Sequence, residues 1–146
     1  TPKPSSAASD VYKRQPPPMT ENELSRIIVD ICYKIHVRLG PGLLESVYET
    51  ILHHELVKNG LYVERQKPLP VFWDGIVMDI GFRADLIVND KVIIEIKSVE
   101  KISPVHQKQL LTYLRIKDCK LGLLINFNEA LIKDGITRVV RNLQEN

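Results

Sequence analysis

The sequence predicts an α/β domain of three layers, a restriction-endonuclease-like core in which helices flank a mixed β-sheet. Two amphipathic helical patterns come first, runs rich in β-forming residues joined by short turns follow, and a strand, helix, strand sequence comes last. Short turns join antiparallel strands, whereas a crossover helix joins parallel strands. The sheet is therefore expected to contain both kinds of pairing.

One folded domain is expected over residues 19–146, since the chain of 146 residues is long enough for one core. Residues 1–18 are rich in Pro, Ser and Ala and are expected to be a disordered or non-native tail, with Met19 as a natural start. No apolar run approaches the roughly 20 residues of a membrane span. Cys32 and Cys119 show no metal-ligand spacing, which indicates free thiols and a cytoplasmic location.

The net charge of +2 arises from the tail. Residues 1–18 hold three of the 20 basic residues and one of the 18 acidic residues, so 17 of each remain in the body. A protein that grips DNA by itself usually has a basic surface. The balanced body argues against tight autonomous binding.

The first helix is expected to begin after Thr20, which forms a capping-box pattern with Glu23. Apolar residues recur at helical spacing as far as Ile35, and Gly40 ends the pattern. His36 is expected to face solvent or to cap the helix.

The second helix is expected over residues 43–59. Its predicted buried residues are Leu44, Val47, Tyr48, Ile51, Leu52 and Leu56, and its predicted surface residues are Glu49, His53 and His54. Glu45 lies in the first turn, where a carboxylate stabilises a helix through its dipole. Alternatively, Gly40 and Gly42 let this turn approach the sheet, so that Glu45 reaches a site there.

Two short strands are expected at residues 62–66 and 69–73, and Asp74-Gly75 is a strong hairpin turn. The returning strand, residues 76–88, contains Gly81, which indicates a bend or bulge. Asp79 is expected to be an exposed strand carboxylate.

Residues 83–88 and 92–97 form the next predicted hairpin. A three-residue loop would place Asp85 opposite Glu95 with Lys97 on the same face, whereas a two-residue loop would separate the two carboxylates. Charged groups on a central strand are costly unless paired or metal-bound. The sequence thus leaves two interpretations open, a satisfied ion pair or a site for a hard divalent cation. A two-carboxylate glycosidase is a weaker third, since Lys97 has no role there.

After residue 104 a helix is expected to about Lys117, followed by a buried strand at residues 121–126 and an edge strand at residues 136–140. Gln109 and Tyr113 lie four residues apart on one face of this helix.

Three motifs resemble one superfamily. Asp85 with Glu95-Ile96-Lys97 resembles the PD-(D/E)XK nucleases, although Ala84 stands where the name has Pro. Gly42-Leu-Leu-Glu45-Ser-Val-Tyr48 is similar to the signature of the small bacterial GxxExxY proteins of that superfamily. Gln109-Leu-Leu-Thr-Tyr113 resembles the Q-x-x-x-Y motif of its RecB-like members.

The resemblance implies a Mg²⁺-dependent nuclease, exonuclease-like rather than restriction-like, that acts on DNA, with Mn²⁺ as a substitute. It implies metal ligands at Glu45, Asp85, Glu95 and the carbonyl of Ile96, a catalytic Lys97, and positioning roles for Gln109, Tyr113 and Tyr48. The alternative is a non-catalytic or partner-dependent binding module that retains the nuclease fold. A protein partner or a homo-oligomer is compatible with either.

Overall fold

The computed structural model describes residues 18–144, so nearly all of the predicted tail lies outside the described residues. The helices are α1 (Glu21–Leu39), α2 (Glu45–Lys58) and α3 (Pro104–Lys117), with a short 3-10 helix at Ile132–Gly135. The strands are β1 (Val63–Pro68), β2 (Val71–Trp73), β3 (Ile76–Met78), β4 (Arg83–Val88), β5 (Val92–Lys97), β6 (Leu121–Asn126) and β7 (Ile136–Val140).

Five strands form the main sheet in the order β1-β4-β5-β6-β7. Strands β5 and β6 are parallel and are joined through α3, whereas the other neighbours are antiparallel. The predicted mixed sheet, βαβ unit and edge strand are therefore confirmed.

The sheet is covered on both faces. Residues of α1 and α2, such as Leu24 and Leu52, pack in one core cluster with Ile94 and Ile96 of β5. Leu110 and other residues of α3 pack in a second cluster with the opposite face of the sheet. The architecture is thus the predicted three-layer α/β fold, and β5 is covered from both sides.

Of the two loop lengths that the sequence left open, the β4–β5 hairpin has the three-residue loop. Val88 pairs with Val92 and Ile87 with Ile93, across a turn in which Asn89 and Asp90 adopt φ values of 50° and 56°. Asn and Asp tolerate this left-handed conformation better than most residues. The register places Asp85 and Glu95 at the open end of the hairpin.

Helix α1 begins with the predicted capping box, in which the Thr20 hydroxyl accepts a hydrogen bond from the Glu23 backbone N–H at 3.1 Å. The prediction for His36 was wrong. Its side chain is buried, and Nε2 lies 2.9 Å from the carbonyl oxygen of Glu129. The imidazole joins α1 to the loop that follows β6.

The buried face of helix α2 differs from the predicted one. Leu44 lies before the helix and is 74% exposed, and Val47 is also exposed, whereas Glu49 is buried rather than on the surface. Tyr48, Leu52 and Leu56 do face the core. The helix therefore presents a carboxylate to the sheet at a position where apolar spacing predicted none.

The long returning strand is divided in two. Gly81, with φ of 79°, lies between β3 and β4, and β3 pairs only with β2 in a separate two-stranded sheet. Asp79 is exposed, as expected, and accepts a hydrogen bond from the Gly81 N–H at 3.0 Å. The bend separates the β2–β3 hairpin from the main sheet.

Both cysteines are free thiols, as predicted, and both are buried. Within residues 18–144, no helix combines the length and the apolar character that a membrane span requires.

Candidate active site

Asp85 and Glu95 hold the β4–β5 pair together where its backbone ladder stops. The last paired residues are Leu86 and Ile94. Beyond them the Asp85 N–H donates to Glu95 Oε2 at 2.7 Å, and the Ile96 N–H donates to Asp85 Oδ2 at 2.8 Å. Each carboxylate thus accepts from the opposite strand in place of a carbonyl oxygen, which fixes the two acids beside one another.

This arrangement makes ionisation of both acids costly. Burial, and then the negative charge of Asp85, raise the pKa of Glu95 to about 8. Burial also raises the pKa of Asp85, although its hydrogen bond from Ile96 opposes the increase. Two neighbouring carboxylates with raised pKa values are typical of functional sites.

Lys97 lies beside this pair, at the end of β5. Its positive charge acts to lower the pKa of both Asp85 and Glu95. Its ammonium group has no hydrogen-bond or ion-pair partner in the part of the chain that the structure describes. The amine is therefore close to the acids but is not committed to a salt bridge.

Gln66 reaches this site from β1, at the position that the register places opposite Asp85. It lies between Arg65, paired with Leu86, and Lys67, paired with Ala84, and its φ of 48° is left-handed. Its Nε2 donates to Asp85 Oδ1 at 3.1 Å and to Glu49 Oε1 at 2.7 Å. A non-glycine residue with left-handed backbone is strained, and such strain is common in functional sites.

Glu49 is the helix carboxylate that reaches the pair. It accepts from Gln66 and forms an ion pair with Arg65 at 3.0 Å, and its charge acts to raise the pKa of Asp85 and Glu95. The apolar spacing of α2 had predicted a surface position for Glu49. The usable signal was its i+4 spacing from Glu45, which places both acids on one helix face.

Glu45, the predicted third acid, lies just beyond the carboxyl end of β5, the end that carries Glu95 and Lys97. Its Oε1 accepts from the Ser98 N–H at 3.3 Å, and the Ser98 hydroxyl donates to the Leu43 carbonyl at 2.7 Å. Its side chain is exposed. Residues 18–144 contain no group of three or more His, Cys, Asp or Glu side chains placed to hold a metal ion. A ligand role for Glu45 stays a prediction.

Tyr48 supports the loop that leads into α2. Its hydroxyl donates to the Gly40 carbonyl at 2.6 Å and accepts from the Leu43 N–H at 3.2 Å. Its buried ring stacks on Phe127 with 4.3 Å between centroids. These contacts are with the loop and the core, so a direct part in positioning substrate also stays a prediction.

Tyr113 approaches the acids from α3. Burial, followed by the charges of Glu95 and Asp85, raises the pKa of Tyr113 to about 12, so the phenol is a neutral hydrogen-bond donor at neutral pH. Its ring contacts Phe82, with centroids 5.4 Å apart. Gln109 is half-buried one turn earlier on the same helix.

A match to a protein-family model shows the superfamily of the chain. A family model described as the PD-(D/E)XK nuclease superfamily matches residues 22–139. The chain belongs to this superfamily. No curated protein and no solved structure matches it. The PD-(D/E)XK match covers both strands of the acidic pair and the helices on either side of the sheet, whereas membership of the small GxxExxY family stays an expectation.

The donor set suits the cation expected of a PD-(D/E)XK nuclease. Asp85 and Glu95 offer carboxylate oxygens, which Mg²⁺ prefers, and the Gln66 NH₂ group joins the carboxylate of Glu49 to that of Asp85. A bound cation would also relieve the repulsion between the two buried acids. The residues present therefore fit a hard divalent ion with a partly water-filled coordination shell.

Proposed function

We propose that the protein is a divalent-metal-dependent nuclease that hydrolyses phosphodiester bonds, with DNA as substrate, Mg²⁺ as the ion and Mn²⁺ as its substitute. The supporting observation is the carboxylate pair of Asp85 and Glu95, joined through backbone hydrogen bonds, with the unpaired Lys97 beside it. This pair lies in a chain of the PD-(D/E)XK superfamily. A RecB-like, exonuclease-like mode and a cytoplasmic location belong to the same proposal.

The metal would be held by Asp85, Glu95 and the carbonyl of Ile96, with Glu45 as a further acid. When bound, such an ion polarises a phosphate oxygen and lowers the pKa of a water molecule.

The remaining roles belong to the chain. Lys97 orients the attacking water or neutralises charge that develops on the phosphate. Tyr113 donates a hydrogen bond from its neutral phenol and, with Gln109 and the loop that Tyr48 supports, positions the strand to be cut. Gln66 and Glu49 hold Asp85 in place.

The test is cleavage of single- and double-stranded DNA with Mg²⁺ or Mn²⁺. Lys97→Ala should lower the rate by about 10²-fold or more, as expected for loss of a proton-transfer or charge-stabilising group. Lys120→Ala is the matched control, because this exposed lysine precedes β6 at the opposite end of the parallel β5–β6 pair. Activity that survives Lys97→Ala, or that persists in a chelator, would contradict the mechanism.

The second candidate is a binding module with an idle or partner-dependent site. The balanced charge of residues 19–146 favours this candidate, because a protein that binds DNA tightly without a partner needs a basic surface. Calorimetry with Mg²⁺ or Mn²⁺ distinguishes the two: absence of heat at millimolar metal, together with no cleavage, would favour the module.

A further inference from the structure

The β2–β3 hairpin is apolar on both faces and forms a two-stranded sheet separate from the main sheet. Phe72 is opposite Val77 and Trp73 is opposite Ile76, so the two pairs point to different sides of the ribbon. The four side chains are 68%, 61%, 67% and 56% exposed, respectively. Neither core cluster of the described residues includes a side chain from 71–78. An isolated two-stranded hairpin is marginally stable, and an exposed apolar patch usually marks an interaction site.

The charge of the hairpin identifies the kind of partner. Residues 71–79 contain Asp74 and Asp79 and no Lys, Arg or His. A nucleic-acid platform combines exposed aromatic rings with basic residues that contact phosphates. The hairpin would instead bring carboxylates to the phosphates. Its chemistry therefore fits a surface that is apolar and basic.

Such a surface exists on the same chain, in a groove of about 690 Å³ between α1 and α2. Tyr33, Val37 and Leu39 line it and are exposed by 58%, 67% and 43%. Lys34 at the groove is paired with Asp30 at 3.0 Å. The other charged residues that line the groove are two cations, Arg38 and Lys58, and one anion, Glu55. Neither cation has an ion-pair partner among residues 18–144. The groove is apolar and carries excess positive charge.

We infer that the β2–β3 hairpin of one molecule docks in the α1–α2 groove of a second copy of this chain. The inference goes beyond the nuclease function and does not depend on it. If docking is reciprocal, two identical contacts close a dimer, whereas a single contact type without closure gives an open chain of molecules.

The area involved predicts the strength of the association. An aromatic side chain buries about 150–250 Å², and Phe72 and Trp73 are two-thirds exposed, so docking removes on the order of 200–330 Å² of their surface. With the groove walls and a reciprocal second contact, the total is roughly 800–1,300 Å², the lower end of specific interfaces. A weak dimer in the micromolar range is expected.

Trp73 is the one tryptophan in the sequence, so its emission reports the hairpin directly. Sedimentation velocity and tryptophan emission should be followed over the same dilution series of the full chain. The expected result is a doubling of mass at high concentration, accompanied by a shift of emission to shorter wavelength as the indole leaves water. Monomer at every concentration, or a change in emission only when single-stranded DNA is added, would overturn the inference.

Variants locate the contact. Phe72→Ser and Arg38→Glu should each weaken association at least tenfold without changing the circular dichroism spectrum. Asp74→Asn keeps the turn, because Asn tolerates the left-handed conformation, and removes the charge that Arg38→Glu would repel. In the Asp74→Asn background, Arg38→Glu should therefore cost less than it does alone. Lys101→Glu, outside the groove, is the charge-matched control. Association that survives both Phe72→Ser and Arg38→Glu would overturn the inference.

Discussion

At the scale of single residues, Glu95 makes the stability of the metal-free protein depend on pH. Its pKa rises from 4.5 to about 8 on folding, so its contribution is fully present below pH 4.5 and is lost as pH rises toward 8. Glu95→Gln keeps an acceptor for the Asp85 N–H and carries no charge. We expect this variant to melt several degrees above the parent at pH 8 and close to it at pH 5, in melting curves recorded with a chelator. Parallel pH profiles for the two proteins would contradict this.

Tyr48 is a second residue whose contribution to stability can be measured, because its hydroxyl can be removed while its ring is kept. Tyr48→Phe keeps the ring stacked on Phe127 but leaves the Gly40 carbonyl and the Leu43 N–H without their partner. Loss of a buried hydrogen-bonding group costs about 1–3 kcal/mol. Urea unfolding should show a loss of this size, whereas Tyr33→Phe, at a 58% exposed position, should change little. Equal effects of the two changes would remove the structural role assigned to Tyr48.

At the scale of elements, the left-handed residue Gln66 of β1 combines backbone strain with side-chain contact, and substitutions can separate the two. Gln66→Gly and Gln66→Ala both delete the amide that joins Glu49 to Asp85. Only Ala retains the penalty of a left-handed conformation, about 1–2 kcal/mol for an L-residue. The Gly variant should therefore be the more stable of the two in urea unfolding, while both lose activity to a similar extent. A more stable Ala variant would show that the left-handed backbone at position 66 relaxes to an ordinary strand conformation.

The elements also show which information the sequence carries. The bounds of α3, β6 and β7 follow from local patterns. The proximity of Asp85 and Glu95 could be predicted only for a three-residue loop, and the structure has that loop. The departure of β2–β3 from the main sheet was not, because the alternation of its residues is the same whether or not a neighbouring strand pairs with it. Glu49 was missed because it lies on a helix face set by tertiary packing, and Gln66 was missed because no residue pattern marks its left-handed backbone within β1.

At the scale of the whole molecule, the two helical layers explain how the candidate site is assembled. Glu49 comes from α2 on one face of the sheet and Tyr113 comes from α3 on the other, and both act on the acids at the end of β4 and β5. They can do so because the strands no longer pair beyond Leu86 and Ile94. The site is therefore assembled where β4–β5 pairing ends, because residues from both helical layers can approach Asp85 and Glu95 there. No single sequence motif accounts for this arrangement.

The balanced charge of the folded domain limits the expected affinity for DNA. With 17 basic and 17 acidic residues after the tail, few phosphates can be neutralised at once, and each neutralised phosphate contributes about −0.9 to the slope of log affinity against log salt. We therefore expect the isolated protein, with Lys97→Ala to prevent cleavage, to bind duplex DNA no more tightly than about 10⁻⁶ M at physiological salt, with a slope of magnitude below about 4. Fluorescence anisotropy of a labelled duplex, titrated at several salt concentrations, measures both quantities. Nanomolar affinity with a steep slope would mean that the basic residues lie together on one surface and that the overall balance of charge misleads.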